Sequence, residues 1–256
     1  MAEVPYAGAV DLTGRTAIVT GGAGGIGYAI ARLLAARGAS LVLLGQKPTV
    51  KEAAAGLPGG GARHLGVEGD VAEARSAARV VSAALDRSGR IDILVNNAGI
   101  SVVEGAEALA EADFDRVMAV NVKGPFLMSQ AVGKVMIGQG SGRIVNVASQ
   151  AGVVAIERHL VYCTSKFALL GMTRVLALEW AKHGLTVNAV SPTVVETPLG
   201  KRVWSGEAGE AMKRKIPTGR FAQPEEIAAA VLFLASDAAG MINGENLIID
   251  GGYTIQ

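Results

Sequence analysis

Cysteine is nearly absent. Cys163 stands alone among 256 residues, which excludes an internal disulfide framework and a cysteine-rich metal site, so no metal is expected. An excess of charge of one sign is also missing. Lys and Arg total 24 against 23 Asp and Glu, for a formal net charge of +1. That leaves no basic footprint for nucleic acid. Long apolar runs are lacking: the longest, residues 227–235, is about half of the ~18 needed to span a bilayer. Residues 1–13 carry Glu3 and Asp11 and show neither the basic start nor the apolar core of a signal peptide. No repeat of the solenoid kind is visible. The expectation is a soluble protein of a reducing, cytoplasmic compartment, with no membrane and no nucleic acid among its partners.

What the chain has in excess is glycine, 34 residues in all, with half of its residues hydrophobic and 18% charged. That balance excludes disorder and allows a sizeable core. So many glycines imply tight turns and backbone that approaches a ligand closely. Short β-branched or leucine-rich runs fall at 16–20, 40–44, 64–67, 91–95, 143–147, 185–190 and 246–249. Several are apolar throughout, as in strands covered on both faces. Stretches with helical spacing lie between them, at 26–37, 72–88, 111–138, 161–183 and 225–235. Strand alternating with helix predicts an α/β fold, a doubly wound parallel sheet of about seven strands of the Rossmann type, in a single domain over 1–256. The one long irregular stretch, 191–219, has a short helix expected near 206–215. Its length marks it as a lid over a substrate.

The first strand runs into Thr20-Gly21-Gly22-Ala23-Gly24-Gly25-Ile26-Gly27, and a helix follows. Glycines there permit a tight turn and let backbone N–H groups reach a pyrophosphate at the helix N-terminus. At the end of the second strand, where an acid would hold an adenosine ribose, the chain reads Gly45-Gln46-Lys47. Gln46 suits ribose hydroxyls, and Lys47 alone would attract a 2′-phosphate. Two cations are wanted for a group of nearly two charges, so NAD is the expected cofactor and NADP the alternative. Tyr162 and Lys166, at i and i+4, share one helix face. Ser149 lies just past the fifth strand. A nearby ammonium favours tyrosinate, and a serine hydroxyl can hold a substrate oxygen. Such a set exchanges a proton with an alcohol while hydride moves to a nicotinamide.

These residues resemble the short-chain dehydrogenase/reductase family over nearly the whole chain. The loop with Gly21, Gly25, Ile26 and Gly27 is similar to its cofactor loop. Asp70-Val71 looks like its adenine contact, Asn96-Asn97-Ala98-Gly99 like its fourth-strand motif, and Pro192 to Thr197 like its nicotinamide-side loop. The resemblance implies Tyr162 as acid/base, Lys166 as its electrostatic partner and a ribose ligand, and Ser149 as substrate orienter. It also implies Asn121 as holder of a water beside Lys166, and Asn97, Val195 and Thr197 as cofactor contacts. Two residues depart from the usual pattern: Gly45 stands in place of an acid, and Thr193 in place of the glycine after Pro192.

Ser149-Gln150, His159-x2-Tyr162-Cys163, Pro192-Thr193-Val194-Val195 and Trp204 are closest to the polyol dehydrogenases and xylulose reductases of that family. That likeness implies Gln150 and His159 as ligands of substrate hydroxyls, with Trp204 an apolar lid residue. Cys163, His64 and His183 are expected to be packing or surface residues, and Glu157 with Arg158 a solvated pair. The resemblance further implies a homotetramer built on helices 111–138 and 161–183 and on the C-terminal strand. The reading is an oxidoreductase interconverting a secondary alcohol and a ketone on a small polyol or sugar. A 3-oxoacyl thioester reductase is the alternative within enzymes, and a non-catalytic nucleotide-binding protein the alternative outside them.

Overall fold

The computed structural model describes residues 10–256, so most of the stretch searched for a signal sequence lies outside the described residues. Seven strands form one parallel sheet: β1 (Thr16–Thr20), β2 (Ser40–Gly45), β3 (Leu65–Glu68), β4 (Ile93–Asn96), β5 (Gly142–Val147), β6 (Leu185–Pro192) and β7 (Asn246–Ile249). Their order is β3-β2-β1-β4-β5-β6-β7. The apolar runs follow from that arrangement, since both faces of the sheet are covered. Ala17 and Val19 of β1 point into one core, with Leu41, Leu43, Ile93 and Val95. Ile18 points into the other, with Val42, Leu94 and Ile144. Helices α1 (Gly25–Ala36) and α9 (Pro224–Ala235) cover the first face. The second is covered by α3 (Ala74–Ser88), α5 (Gly124–Gln139) and part of α6 (Leu160–Trp180).

The chain reverses its order between β1 and β4, which opens a crevice at the carboxyl ends of those strands. Three features differ from the sequence expectation. Helix α2 (Thr49–Ala55) has seven residues, too few to show a period. The expected helix 111–138 is α4 (Glu111–Met118) and α5 joined by a π turn, Ala119–Lys123, that carries the buried Asn121. The stretch 191–219 begins inside β6 and carries a further helix, α7 (Pro198–Val203), ahead of the short helix expected near 206–215, which is α8 (Gly206–Arg214).

Leu160–His183, which is α6 with its 3-10 extension, is long and apolar enough to cross a membrane by length and composition. Here it packs beside β6 and carries Tyr162 and Lys166 on its first turns. His64 is a packing residue: its Nδ1 accepts from the Leu41 N–H at 3.1 Å and its Nε2 donates to the Pro58 carbonyl at 2.8 Å. Burial holds it below the usual imidazole range.

Candidate active site

The turn after β1 is braced from β4. The Thr20 hydroxyl accepts from the Asn97 and Ala98 N–H groups at 3.0 and 3.1 Å, and the Asn97 amide donates to the Thr20 carbonyl at 3.0 Å. Gly21 adopts φ +65°, a left-handed conformation that lets β1 turn sharply into α1. Helix α1 opens at Gly24 with no side chain capping it and no acid in its first turn. Its free N–H groups and positive dipole end therefore face the cleft, as an anionic pyrophosphate requires. A Cβ on Gly24 would meet nothing within 4 Å, so that side of the turn is open for a ligand to approach. The residues present therefore fit a dinucleotide.

The cleft beyond this turn has a volume of about 460 Å³, and its walls include Gly21, Gly25, Ile26 and Asn97 on the loop side. Ser149, Tyr162 and Lys166 line its floor. Ser149 follows β5 and accepts from the Ala151 N–H at 3.1 Å, which caps a short 3-10 turn. Its hydroxyl is also hydrogen-bonded to Tyr162. A buried polar relay ties α6 to the sheet. The Asn96 amide donates to Asn146 at 2.8 Å, and the Asn146 amide to Thr173 of α6 at 2.9 Å. One turn past Tyr162, Lys166 is buried and donates to the Val147 carbonyl at 2.8 Å. Its Nζ lies 5.6 Å from the Tyr162 ring centroid.

The electrostatics differ from the simple expectation of an ammonium lowering a phenol. Burial pushes Tyr162 above its usual value, and the hydrogen bond from Ser149 offsets part of that. Burial also pulls Lys166 down from 10.5 to about 8. Retaining that proton at pH 7 costs on the order of 3 kcal/mol relative to a solvated lysine. The sign follows from the depressed value. The stability is present above the unfolded pKa of 10.5 and is lost as pH falls through the folded value near 8. Lys166→Met is therefore expected to raise the thermal midpoint at pH 7 by about 5 °C, after allowing for the lost bond to Val147. That margin should shrink between pH 8 and 10. Calorimetry showing no rise, or a margin independent of pH, would contradict it.

The outer wall is aromatic. His159 and Trp204 stack with ring centroids 6.2 Å apart and planes 4° apart, and His159 meets Tyr162 edge-on at 6.3 Å. His159 is buried, and its Nδ1 lies 2.8 Å from the Glu157 carbonyl. A carbonyl only accepts, so Nδ1 carries the proton and Nε2 is left as the free ring acceptor. Gln150 lines the cleft, and its Oε1 is buried without a partner.

Sequence reasoning missed several supports of this wall. Arg158 is the one described non-glycine residue with positive φ, +62°, and it is not paired with Glu157. Its carbonyl accepts from the Glu104 N–H at 2.9 Å, and its guanidinium meets the Glu104 carboxylate at 3.3 Å. That strained residue sets the backbone leading into His159. Thr193 and Ser101 also line the cleft with unpartnered buried hydroxyls. The departure of Thr193 from glycine was the available signal for the first; the second had none.

Other expected site residues stand apart from the cleft. Gly27 lies under the loop, where an added Cβ would sit 2.3 Å from the Gly21 carbonyl oxygen and 2.4 Å from Asn97 Nδ2. The Asn121 amide is already committed. It donates to the Ile100 carbonyl at 2.9 Å and Ser165 at 3.0 Å, and accepts from the Ile100 N–H at 2.9 Å. Its side chain braces the π turn against Ile100 and Ser165. Val71 is buried against Gly124, so its side chain faces the core. Gln46 and Asp70 line a separate recess past β2 and β3. Val195 and Thr197 do line the cleft, but the Thr197 hydroxyl caps α7, accepting from the Gly200 N–H at 3.0 Å.

A family model described as enoyl-(acyl carrier protein) reductase matches residues 21–254. The NAD-dependent glycerol dehydrogenase of Listeria innocua is 50% identical over 246 residues, covering 96% of each chain. The D-threitol dehydrogenase of Mycolicibacterium smegmatis is 52% identical over 246 residues, covering 96% of this chain and 95% of that one. A solved gluconate 5-dehydrogenase from Burkholderia cenocepacia, in complex with NADP and tartrate, superposes with a TM-score of 0.90. It is 34% identical and covers 97% of this chain and 98% of that one.

Proposed function

The chain belongs to the short-chain dehydrogenase/reductase family, and from that premise we propose that it is an NAD-dependent dehydrogenase of small polyols, interconverting a secondary alcohol and a ketone. The observation that carries this reading is one cleft holding an open helix N-terminus at one end and Ser149, Tyr162 and Lys166 at the other. Two relatives sharing half of its residues act on glycerol and threitol, which favours a polyol over the acyl thioester named by the family model.

Bound NAD would supply the acceptor for the hydride. The part of the chain itself is the proton. Ser149 holds the substrate oxygen beside the Tyr162 hydroxyl. In oxidation Tyr162 takes the alcohol proton, and in reduction it returns a proton to the carbonyl oxygen. Lys166, anchored on Val147, supplies the positive charge that steadies tyrosinate as it forms. Asn121 holds the π turn against Ile100 and Ser165 beneath them. Gly21, Gly25, Ile26 and Asn97 hold the pyrophosphate side, and Val195 with Thr197 the nicotinamide side, these two by their backbone. Gln150 and the free Nε2 of His159 take further substrate hydroxyls. A site so built discriminates against alcohols lacking them.

Helices α7 and α8 form the lid, with Trp204 as its contact to the wall. Hydrogen exchange over 198–214 should slow when NAD and a polyol bind together; equal protection with and without them would remove the lid. The chain works in the cytoplasm as a homotetramer, apart from membranes and nucleic acid. Phe114, Phe126, Phe167, Val175 and Leu178 are exposed on α4, α5 and α6, and their apolar surface supports pairing of these helices between copies. Light scattering should give four times the chain mass at micromolar concentration; a monomer mass would contradict it.

The test of function is spectrophotometric. Glycerol, tetritols, pentitols, hexitols and 3-oxoacyl thioesters are each offered with NAD and with NADP. Polyol-dependent formation of NADH is the expected result. Turnover of a thioester alone would overturn the substrate, and failure of every substrate would overturn the enzyme.

A further inference from the structure

The end of β2 lacks the acid that would select NAD, yet a carboxylate reaches the same place from the next strand. Gly45 pairs in register with Glu68, and the Gly69 N–H donates to the Gly45 carbonyl at 2.9 Å. Asp70, just beyond, therefore lies beside Gln46. The Gln46 amide donates to Asp70 Oδ2 at 2.8 Å, and the Ala72 N–H donates to Oδ1 at 2.8 Å. Both partners are neutral, and among the described residues no cation pairs with this carboxylate. An ionised carboxylate only accepts, so the contact fixes which way the Gln46 amide points and leaves its carbonyl oxygen outward.

We propose that Gln46 and Asp70 act as one cofactor-selecting unit, in which Asp70 supplies from β3 the negative charge missing from β2. The proposal rests on the dinucleotide reading of the cleft. A ribose diol offers O–H donors, which the Gln46 carbonyl oxygen and the Asp70 carboxylate can accept. A 2′-phosphate offers none, brings nearly two negative charges, and meets the fixed charge of Asp70. Lys47 follows Gln46 directly, and Lys51, Arg75 and Arg79 line the same recess with Glu68 and Glu73, Arg75 being paired with Glu73 at 2.7 Å. These exposed cations act the opposite way, so selection turns on whether Asp70 keeps its charge and its tether. Gln46 is thereby a positioning residue that holds a carboxylate from another strand at the ribose end.

The experiment is equilibrium calorimetry with NAD, NADP, 5′-AMP and adenosine 2′,5′-bisphosphate, none of which requires turnover. Asp70→Asn keeps the size and the acceptor for Ala72 and removes the charge. It is expected to shift the NADP-to-NAD affinity ratio about tenfold towards NADP, with the same shift for the two adenosine phosphates. The shift should shrink at high salt, as a surface charge effect must. Gln46→Ala, which unties the carboxylate without removing it, should move the ratio the same way by less. Equal weakening of both cofactors in Asp70→Asn would make Asp70 an adenine contact only and overturn the proposal. An unchanged ratio with intact NAD binding would overturn it as well. Failure of wild type to bind any of the four would instead defeat the dinucleotide reading on which it rests.

Discussion

Tyr162→Phe should lower kcat by at least about a hundredfold while the protein still binds NAD. Only one oxygen is removed, and the ring that meets His159 edge-on at 6.3 Å remains. The lost hydroxyl accepts from Ser149, whose oxygen keeps the Ala151 N–H while its O–H is left to the cleft that it lines. One hydrogen bond is worth about 1 kcal/mol, so removing the hydroxyl should lower the thermal midpoint by no more than about 4 °C. Steady-state kinetics with calorimetric NAD binding checks both halves. A variant keeping more than about a tenth of wild-type turnover would show that the proton passes through another group. Loss of NAD binding along with turnover would show that the hydroxyl serves the cofactor and not the substrate.

Gly27→Ala should unfold the site and not merely slow it. The added methyl would sit 2.3 Å from the Gly21 carbonyl oxygen and 2.4 Å from Asn97 Nδ2. Neither neighbour can give way cheaply. Gly21 is fixed in its turn by the bond from its N–H to the Leu44 carbonyl at 2.8 Å, and Asn97 by three bonds to Thr20 and Gly21. Overpacking against backbone costs about 3 kcal/mol or more, so the thermal midpoint should fall by on the order of 10 °C. Calorimetric NAD affinity should fall with it, because the turn must shift to make room. Gly24→Ala is the control. Its Cβ would meet nothing within 4 Å and its φ of −170° suits any residue, so the midpoint should stay put. Equal midpoints for the two variants would refute the role given to Gly27.

Much of the fold was legible because its signals are local. The apolar run at 16–20 coincides with β1, since residues buried on both faces leave no polar alternation to blur its ends. Tyr162 and Lys166 were legible for a similar reason, because i and i+4 on a helix must share a face. What escaped depends on partners far apart in the chain. Arg158 reads as a solvated neighbour of Glu157 until Glu104, 54 residues earlier, takes its carbonyl and its guanidinium. Gln46 reads as a weak ribose ligand until the β2–β3 register delivers Asp70 to it. The π turn at Asn121 slips the apolar spacing of 111–138 by a single position, a signal too small to separate α4 from α5 in the sequence. Asn121 was legible as a site residue and not as a brace, since its amide partners Ile100 and Ser165 come from two other segments.

The stack of His159 on Trp204 also has an optical consequence. The chain has two tryptophans. Trp180 is half-buried against Gly133 and does not line the cleft, so ligand binding has little to change there. Trp204 ends α7 and lies parallel to the His159 imidazole, so its indole emission depends on that contact. Any swing of α7 that separates the two rings changes the fluorescence of one residue and leaves the other as an internal reference. Subtracting the emission of Trp204→Phe from that of the wild type would thus report opening and closing of the cleft in real time, without an attached dye.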